Sequence, residues 1–194
     1  MTLEGEGKGQ QERARRIYEL LNKGARLLYQ HRPGEAILVL EEAYALDPEN
    51  VDVAINLGGA YVMQGRFSKA VPVLEAASRQ APNNSMVWTN LAAAYLGRLE
   101  LSSQEMQDKA IAAFERALQV NPSAPNVNYN LGLIYKERGD LERAFAHFWR
   151  ALEINPNDRD ARFWLDWIQR VGQSGAQKPP LSPQERDKSD GHSP

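Results

Sequence analysis

An all-α fold of stacked antiparallel helix pairs is predicted by three observations. Small residues recur at Gly24, Gly58, Ala92 and Gly132, at intervals of 34, 34 and 40. Alanines at Ala36, Ala70, Ala110 and Ala144, and prolines at Pro48, Pro82, Pro122 and Pro156, repeat at 34, 40 and 34. Within each unit the apolar residues fall at helical spacing and form two stripes. A period of this length signals supersecondary units that each bury an apolar face on the next. The units run 17–50, 51–84, 85–124 and 125–158.

Met1 to Gly9 is polar and glycine-rich and is predicted to be a flexible tail, 1–9. The repeat domain then covers 10–171. Gln10 to Gln30 forms one long first helix, with Leu20, Lys23, Gly24 and Leu27 at the repeat positions. In the second unit, Ala54, Leu57, Gly58 and Tyr61 make one stripe, broken at Gly65. Ala70, Val73, Leu74 and Ala77 make the other, closed by Pro82, which cannot continue a helix. Gly58 and Ala77 are small enough to let two helices approach closely.

The third unit carries six extra residues, since Tyr61 to Tyr95 is 34 residues and Tyr95 to Tyr135 is 40. They fall within Gly97–Ser103. Ser102 and Glu105 have capping-box spacing, so the next helix starts near Ser103 and is longer by about a turn and a half. The insertion carries Leu99, Leu101 and Met106, and reads either as a partner-specific protrusion or as a tolerated loop. After the fourth unit, 159–171 predicts one capping helix. Asp158 stands at its N-cap, and Leu165 and Ile168 face inward. Gly172, Gly175, Pro179, Pro180 and Pro183 then mark 172–194 as a disordered tail.

Composition excludes several function classes. A formal charge of −2 lacks the basic excess with which a dedicated nucleic-acid binder neutralises phosphates. No apolar run reaches the roughly 18–20 residues that cross a bilayer, and no secretory leader precedes the repeats, so a cytoplasmic location is expected. With no cysteine there is no disulfide framework and no thiol nucleophile. His31, His147 and His192 lie far apart and show no metal-ligand spacing. Gly5-Glu6-Gly7-Lys8-Gly9 lacks the span, the hydroxyl residue and the preceding strand of a phosphate loop. No cofactor, no metal and no catalytic residue are expected, and the chain does not read as an enzyme.

The repeat resembles the tetratricopeptide repeat (TPR). The third unit shows that family's pattern as Trp88, Leu91, Ala92, Tyr95, Ala110, Phe114, Ala117 and Pro122. The fourth shows it as Asn128, Leu131, Gly132, Tyr135, Ala144, Phe148, Ala151 and Pro156. The resemblance implies a right-handed superhelical α-solenoid whose first helices line a concave groove, and a non-enzymatic scaffold or adaptor that binds a protein or peptide segment there.

Asn22, Asn56, Asn90 and Asn130 occupy one repeat position, opposite the core stripe. The resemblance places them in a row along the groove. A similar asparagine ladder in the protein O-linked sugar transferases holds the backbone of an extended peptide. A carboxamide both donates and accepts, and so matches a peptide group without reading its side chain. Hydrogen bonding between repeats is the competing role.

Tyr18, Leu21, Ala25, Ile55, Gly59, Met63, Met86, Thr89, Ala93, Tyr129 and Leu133 flank the row and are apolar or small. An apolar surface rimmed by polar groups marks a binding site. Phe163 and Trp167 on the last helix read as a ligand or self-association interface, or as a seal with Trp164, Phe145, Phe148 and Trp149. The lysines and arginines of the carboxylate-clamp subtype are missing, because the matching sites hold Leu21, Ala25, Thr89 and Ala93, and only Asn56 fits. A self-associating homo-oligomeric assembly module and a chaperone for secretion or assembly subunits are the alternative readings.

Overall fold

In the computed structural model of the chain, residues 3–174 are described. They divide into two compact units, one ending at Pro122 and one beginning at Ser123. The first holds α1 (Leu3–Tyr29), α2 (Pro33–Leu46), α3 (Val51–Met63), α4 (Phe67–Gln80), α5 (Ser85–Leu96) and α6 (Gln104–Val120). A single 3₁₀ turn, Leu99–Leu101, lies between α5 and α6. The second unit holds α7 (Val127–Glu137), α8 (Leu141–Ile154) and α9 (Arg159–Ser174). Among the described residues there is no strand, and the all-α class of paired helices stands.

Helix starts follow side-chain chemistry. Asn50 Oδ1 accepts from the Val53 amide at 3.1 Å, Asn84 Oδ1 from Met86 at 3.0 Å, and Asp140 Oδ1 from Arg143 at 3.0 Å. Asp158 Oδ1 accepts from Asp160 and Ala161 at 3.1 and 3.0 Å, and so caps α9 as expected. Each such bond satisfies an amide that the first turn of a helix leaves without a partner.

In the first unit the core is continuous across the helix pairs. Leu27, Ile37, Leu40, Leu57, Tyr61, Leu74 and Leu91 belong to one buried cluster. The small repeat positions set the distance between paired helices. A Cβ on Gly24 would stand 2.5 Å from Leu40, and one on Gly58 2.5 Å from Leu74. In the second unit a Cβ on Gly132 would stand 2.7 Å from Phe148. There α9 lays Ala161, Trp164, Leu165 and Ile168, a helical i, i+3, i+4, i+7 stripe, into the core. Trp164 stacks on Phe148 with centroids 6.4 Å apart, and the Lys136 ammonium lies 3.9 Å above its ring.

Four expectations are corrected. Helix α1 begins at Leu3, so Leu3 to Gly9 are helical where glycine content predicted a flexible tail. Extending a helix already anchored by its packed part is far cheaper than starting one, and the glycine penalty does not prevent it. Helix α9 likewise runs through Gly172 to Ser174, and the remainder of the predicted tail lies outside the described residues. Ser103, not Ser102, caps α6, its Oγ accepting from Met106 at 3.3 Å. At 17 residues against 14 in α4, α6 is longer by about one turn, not one and a half. The rest of the insertion widens the preceding turn.

A part-buried tyrosine–glutamate pair repeats with the helices. Tyr61 Oη donates to Glu41 at 2.6 Å, and Tyr95 Oη to Glu75 at 2.6 Å. Burial first, then the hydrogen bond to and charge of the glutamate, push both phenols up to about 12. A folded-state value above the ordinary one near 10 adds stability that is complete below pH ~10 and lost as pH rises toward 12. Tyr61→Phe with Tyr95→Phe is expected to lower stability at pH 8 by about 1 kcal/mol per site, at the low end because the carboxylates are partly exposed. Denaturant titrations at pH 8 and 11 check this: the double variant should lose less between the two than the parent, and parallel losses would count against it.

Candidate functional site

The first helices α1, α3 and α5 pack in succession, α1 on α3 and α3 on α5. This places Asn22, Asn56 and Asn90 on adjacent helices of the first unit. Asn22 is exposed, while Asn56 and Asn90 are half-buried, so none is sealed from solvent. In the second unit Asn130 is also half-buried, on α7.

The amide nitrogens of Asn56, Asn90 and Asn130 are already engaged. Asn56 Nδ2 donates to the Asp52 carbonyl at 2.8 Å, and Asn130 Nδ2 to the Asn126 carbonyl at 2.8 Å, both one turn back in their own helices. Asn90 Nδ2 instead donates to the Ile55 carbonyl at 3.2 Å, tying α5 to α3. The role of fastening repeats together is therefore present at one position of the row. Each carboxamide keeps its oxygen and a second N–H for another partner. These three side chains are thus each held by one bond, which lowers the ordering cost of any further one.

Among the flanking residues, Tyr18, Met63 and Met86 are exposed, at 67%, 51% and 60%. Tyr18 and Asn22 share a shallow depression on α1 with Lys23 and Arg26. Gly59 lies beside Asn90, for a Cβ there would meet its Nδ2 at 3.4 Å. Ile55 is a correction: it is 5% exposed and packed with Ala54, Ala77 and Val87. Helix α5 covers that side of α3, so Ile55 supplies a carbonyl to Asn90 and no side-chain surface. In the second unit Tyr129 and Leu133 are half-buried, and the Tyr129 ring tilts against Phe148 at 5.8 Å.

On α9 the sealing role predicted for Trp164 holds, since it is 2% exposed. Phe163 and Trp167 are half-buried and meet Trp164 edge-on, at 5.0 and 5.8 Å. Trp149 does not join the seal. It is 53% exposed and stacks on Phe145 at 6.3 Å on the outer face of α8, an aromatic pair that the repeat pattern alone did not separate from the core. His147 Nδ1 lies 3.1 Å from the buried Asn128 Oδ1, and its ring stacks on Tyr135 at 5.4 Å. Burial, with Arg150 and Arg143 adding to it, holds this imidazole below its ordinary value.

The six-residue insertion builds a feature that sequence spacing left open. Leu101 is 77% exposed, Leu99 and Met106 are half-buried, and the segment with α4 and α5 borders an open cleft of about 570 Å³ lined by Leu101 and Met106 but not by Leu99. Among the described residues no group of three or more acidic, histidine or cysteine side chains could hold a metal, and no helix is long and apolar enough to cross a membrane.

A helix-pair repeat protein whose first-helix faces carry one recurrent amide is what these observations define. Family models described as tetratricopeptide repeat match residues 27–95 and 125–158, and one described as TPR repeat matches 100–139. The chain belongs to the tetratricopeptide repeat family. Among solved structures it is similar to MamA of strain MSR-1, at 28% identity over 83% of this chain and 87% of that one, with a TM-score of 0.64. A thermophilic TPR protein of Thermus thermophilus matches at 19% identity over 80% and 82%, with a TM-score of 0.68. PilF of Pseudomonas aeruginosa matches at 20% over 84% and 71%, with a TM-score of 0.71. A search of the curated proteins finds no match. Family and fold together support a protein-interaction scaffold in general terms.

Proposed function

We propose that the chain is a non-enzymatic scaffold that binds an extended segment of another protein across α1, α3 and α5. The observation that carries this reading is the recurrence of half-exposed or exposed asparagines at one position of successive first helices. A polypeptide backbone needs an acceptor and a donor at each residue it lays down, and the free oxygen and N–H of Asn56 and Asn90 provide both. Exposed Met63 and Met86 flank these amides with flexible, polarisable apolar surface that adapts to varied side chains. Asn22 and Tyr18 extend the surface at one end. Asn130 offers the same group in the second unit, with Tyr129 and Leu133 beside it. An open, single-face contact of this kind gives a Kd on the order of micromolar, about −8 kcal/mol.

The test uses a peptide selected on the intact chain from a random-sequence library. Asn56→Ala with Asn90→Ala removes two backbone contacts worth about 0.5–1.5 kcal/mol each, so affinity by fluorescence polarisation should fall about ten-fold. Helicity should be retained and melting shifted only slightly. An affinity indistinguishable from that of the parent chain would remove the asparagines from the binding surface.

A further inference from the structure

We infer that the insertion between α5 and α6 forms a second binding site, a cleft that takes a protein segment bearing a large apolar side chain next to a carboxylate. The turns joining the helices of the second and fourth repeats span three residues, 64–66 and 138–140, whereas this one spans seven, 97–103. The added chain does not fold flat onto the core. It leaves α5 at Gly97 with φ +58, a conformation that disfavours any residue with a Cβ, and a Cβ there would also meet the Phe67 ring at 3.4 Å. The chain then borders an open cleft of about 570 Å³ lined by Phe67, Val71, Leu96, Arg98, Leu101 and Met106. That volume lies within the ~300–1,000 Å³ typical of ligand sites.

Three features define the occupant. The walls are apolar, so they reward burial of a bulky aliphatic or aromatic side chain. Leu101 stands 77% exposed on the lip, which uncovers apolar surface that a partner would bury. Arg98 is the one charged residue in the lining and forms no ion pair among the described residues. Glu105, at the start of α6, is held by Lys109 at 2.8 Å, and neither it nor Glu100 is in the lining. A carboxylate beside the buried side chain therefore meets an uncompensated guanidinium, with the bidentate geometry that arginine favours. The site lies at the turn end of α4 and α5 and uses none of the asparagines, so it stands or falls apart from the groove reading.

Two capped peptides test it on the full chain: Gly-Ser-Phe-Leu-Asp-Asp-Gly, and the same sequence with lysine in place of both aspartates. Titration into isotope-labelled protein should shift the amide resonances of Gly97, Leu101 and Ser102. The acidic peptide should bind about ten-fold more tightly than the basic one, and Arg98→Glu should reverse that preference. Asn56→Ala with Asn90→Ala should leave both results unchanged. No shift at these amides, equal affinity for both peptides, or loss of binding in the asparagine variant would each overturn the inference. So would concentration-dependent broadening of the same amides without peptide, relieved by Leu101→Asp, because a second copy of the chain would then be the occupant.

Discussion

Trp164→Ala costs the second unit about 3–5 kcal/mol, the range for emptying a buried aromatic site. Among the described residues the unit has three helices, and α9 lays its apolar stripe against the α7–α8 pair. Trp164 is the largest side chain of that stripe, in ring contact with Phe148, Phe163 and Trp167 at once. Urea unfolding followed by circular dichroism should show part of the transition moving to lower denaturant. Trp164→Phe is the informative companion. It keeps an aromatic ring in place and removes an indole N–H that is buried without a hydrogen-bond partner, so its cost should stay near 1 kcal/mol. If the alanine variant unfolded with the parent, α9 would not be the closing element of the unit.

Gly58→Val is expected to destabilise the first unit by about 1–3 kcal/mol or more, while Gly59→Ala, one residue along, should stabilise it by up to about 1 kcal/mol. The glycines share a helix but not a neighbour, and Gly58 is buried where Gly59 is half-buried. A Cβ on Gly58 would stand 2.5 Å from two carbons of Leu74, in the floor of the helix pair, where the leucine cannot move without disturbing a fully packed core. A Cβ on Gly59 meets only the Asn90 amide, at 3.4 Å. Melting temperatures of the two variants should fall on opposite sides of the parent. If both lost stability equally, glycine would be required at this point of α3 for its backbone and not for its lack of bulk.

The fold was legible because periodicity reports burial directly. Gly24, Gly58 and Gly132 recur because a paired helix leaves no room for a side chain, and Pro82 and Pro122 recur because each helix must stop there. Asp158 was readable as a cap for the same kind of local reason. The site was legible only in outline. Spacing around a helix puts Asn56 on the face away from the core, and the structure leaves it half-exposed. It could not tell that Ile55, one residue before, is roofed by α5, since that depends on how neighbouring first helices nest. Nor could it show that Asn90 donates across to α3, or that Trp149 stands in solvent while Phe148, one residue earlier, is fully buried. The insertion was visible as a break in period. What it borders depends on Phe67 and Val71 from another helix, and no local pattern carries that information.

The bond from Asn90 to the Ile55 carbonyl makes this amide a rivet between repeats, and on the proposed reading the same amide would also greet a visiting chain. On that reading, Asn90→Ala is expected to loosen the α3–α5 step and weaken ligand contact together. Asn56, fastened only to its own helix, lets the two effects be pulled apart, so comparing these neighbours measures how far stiffness and recognition have been fused in this array.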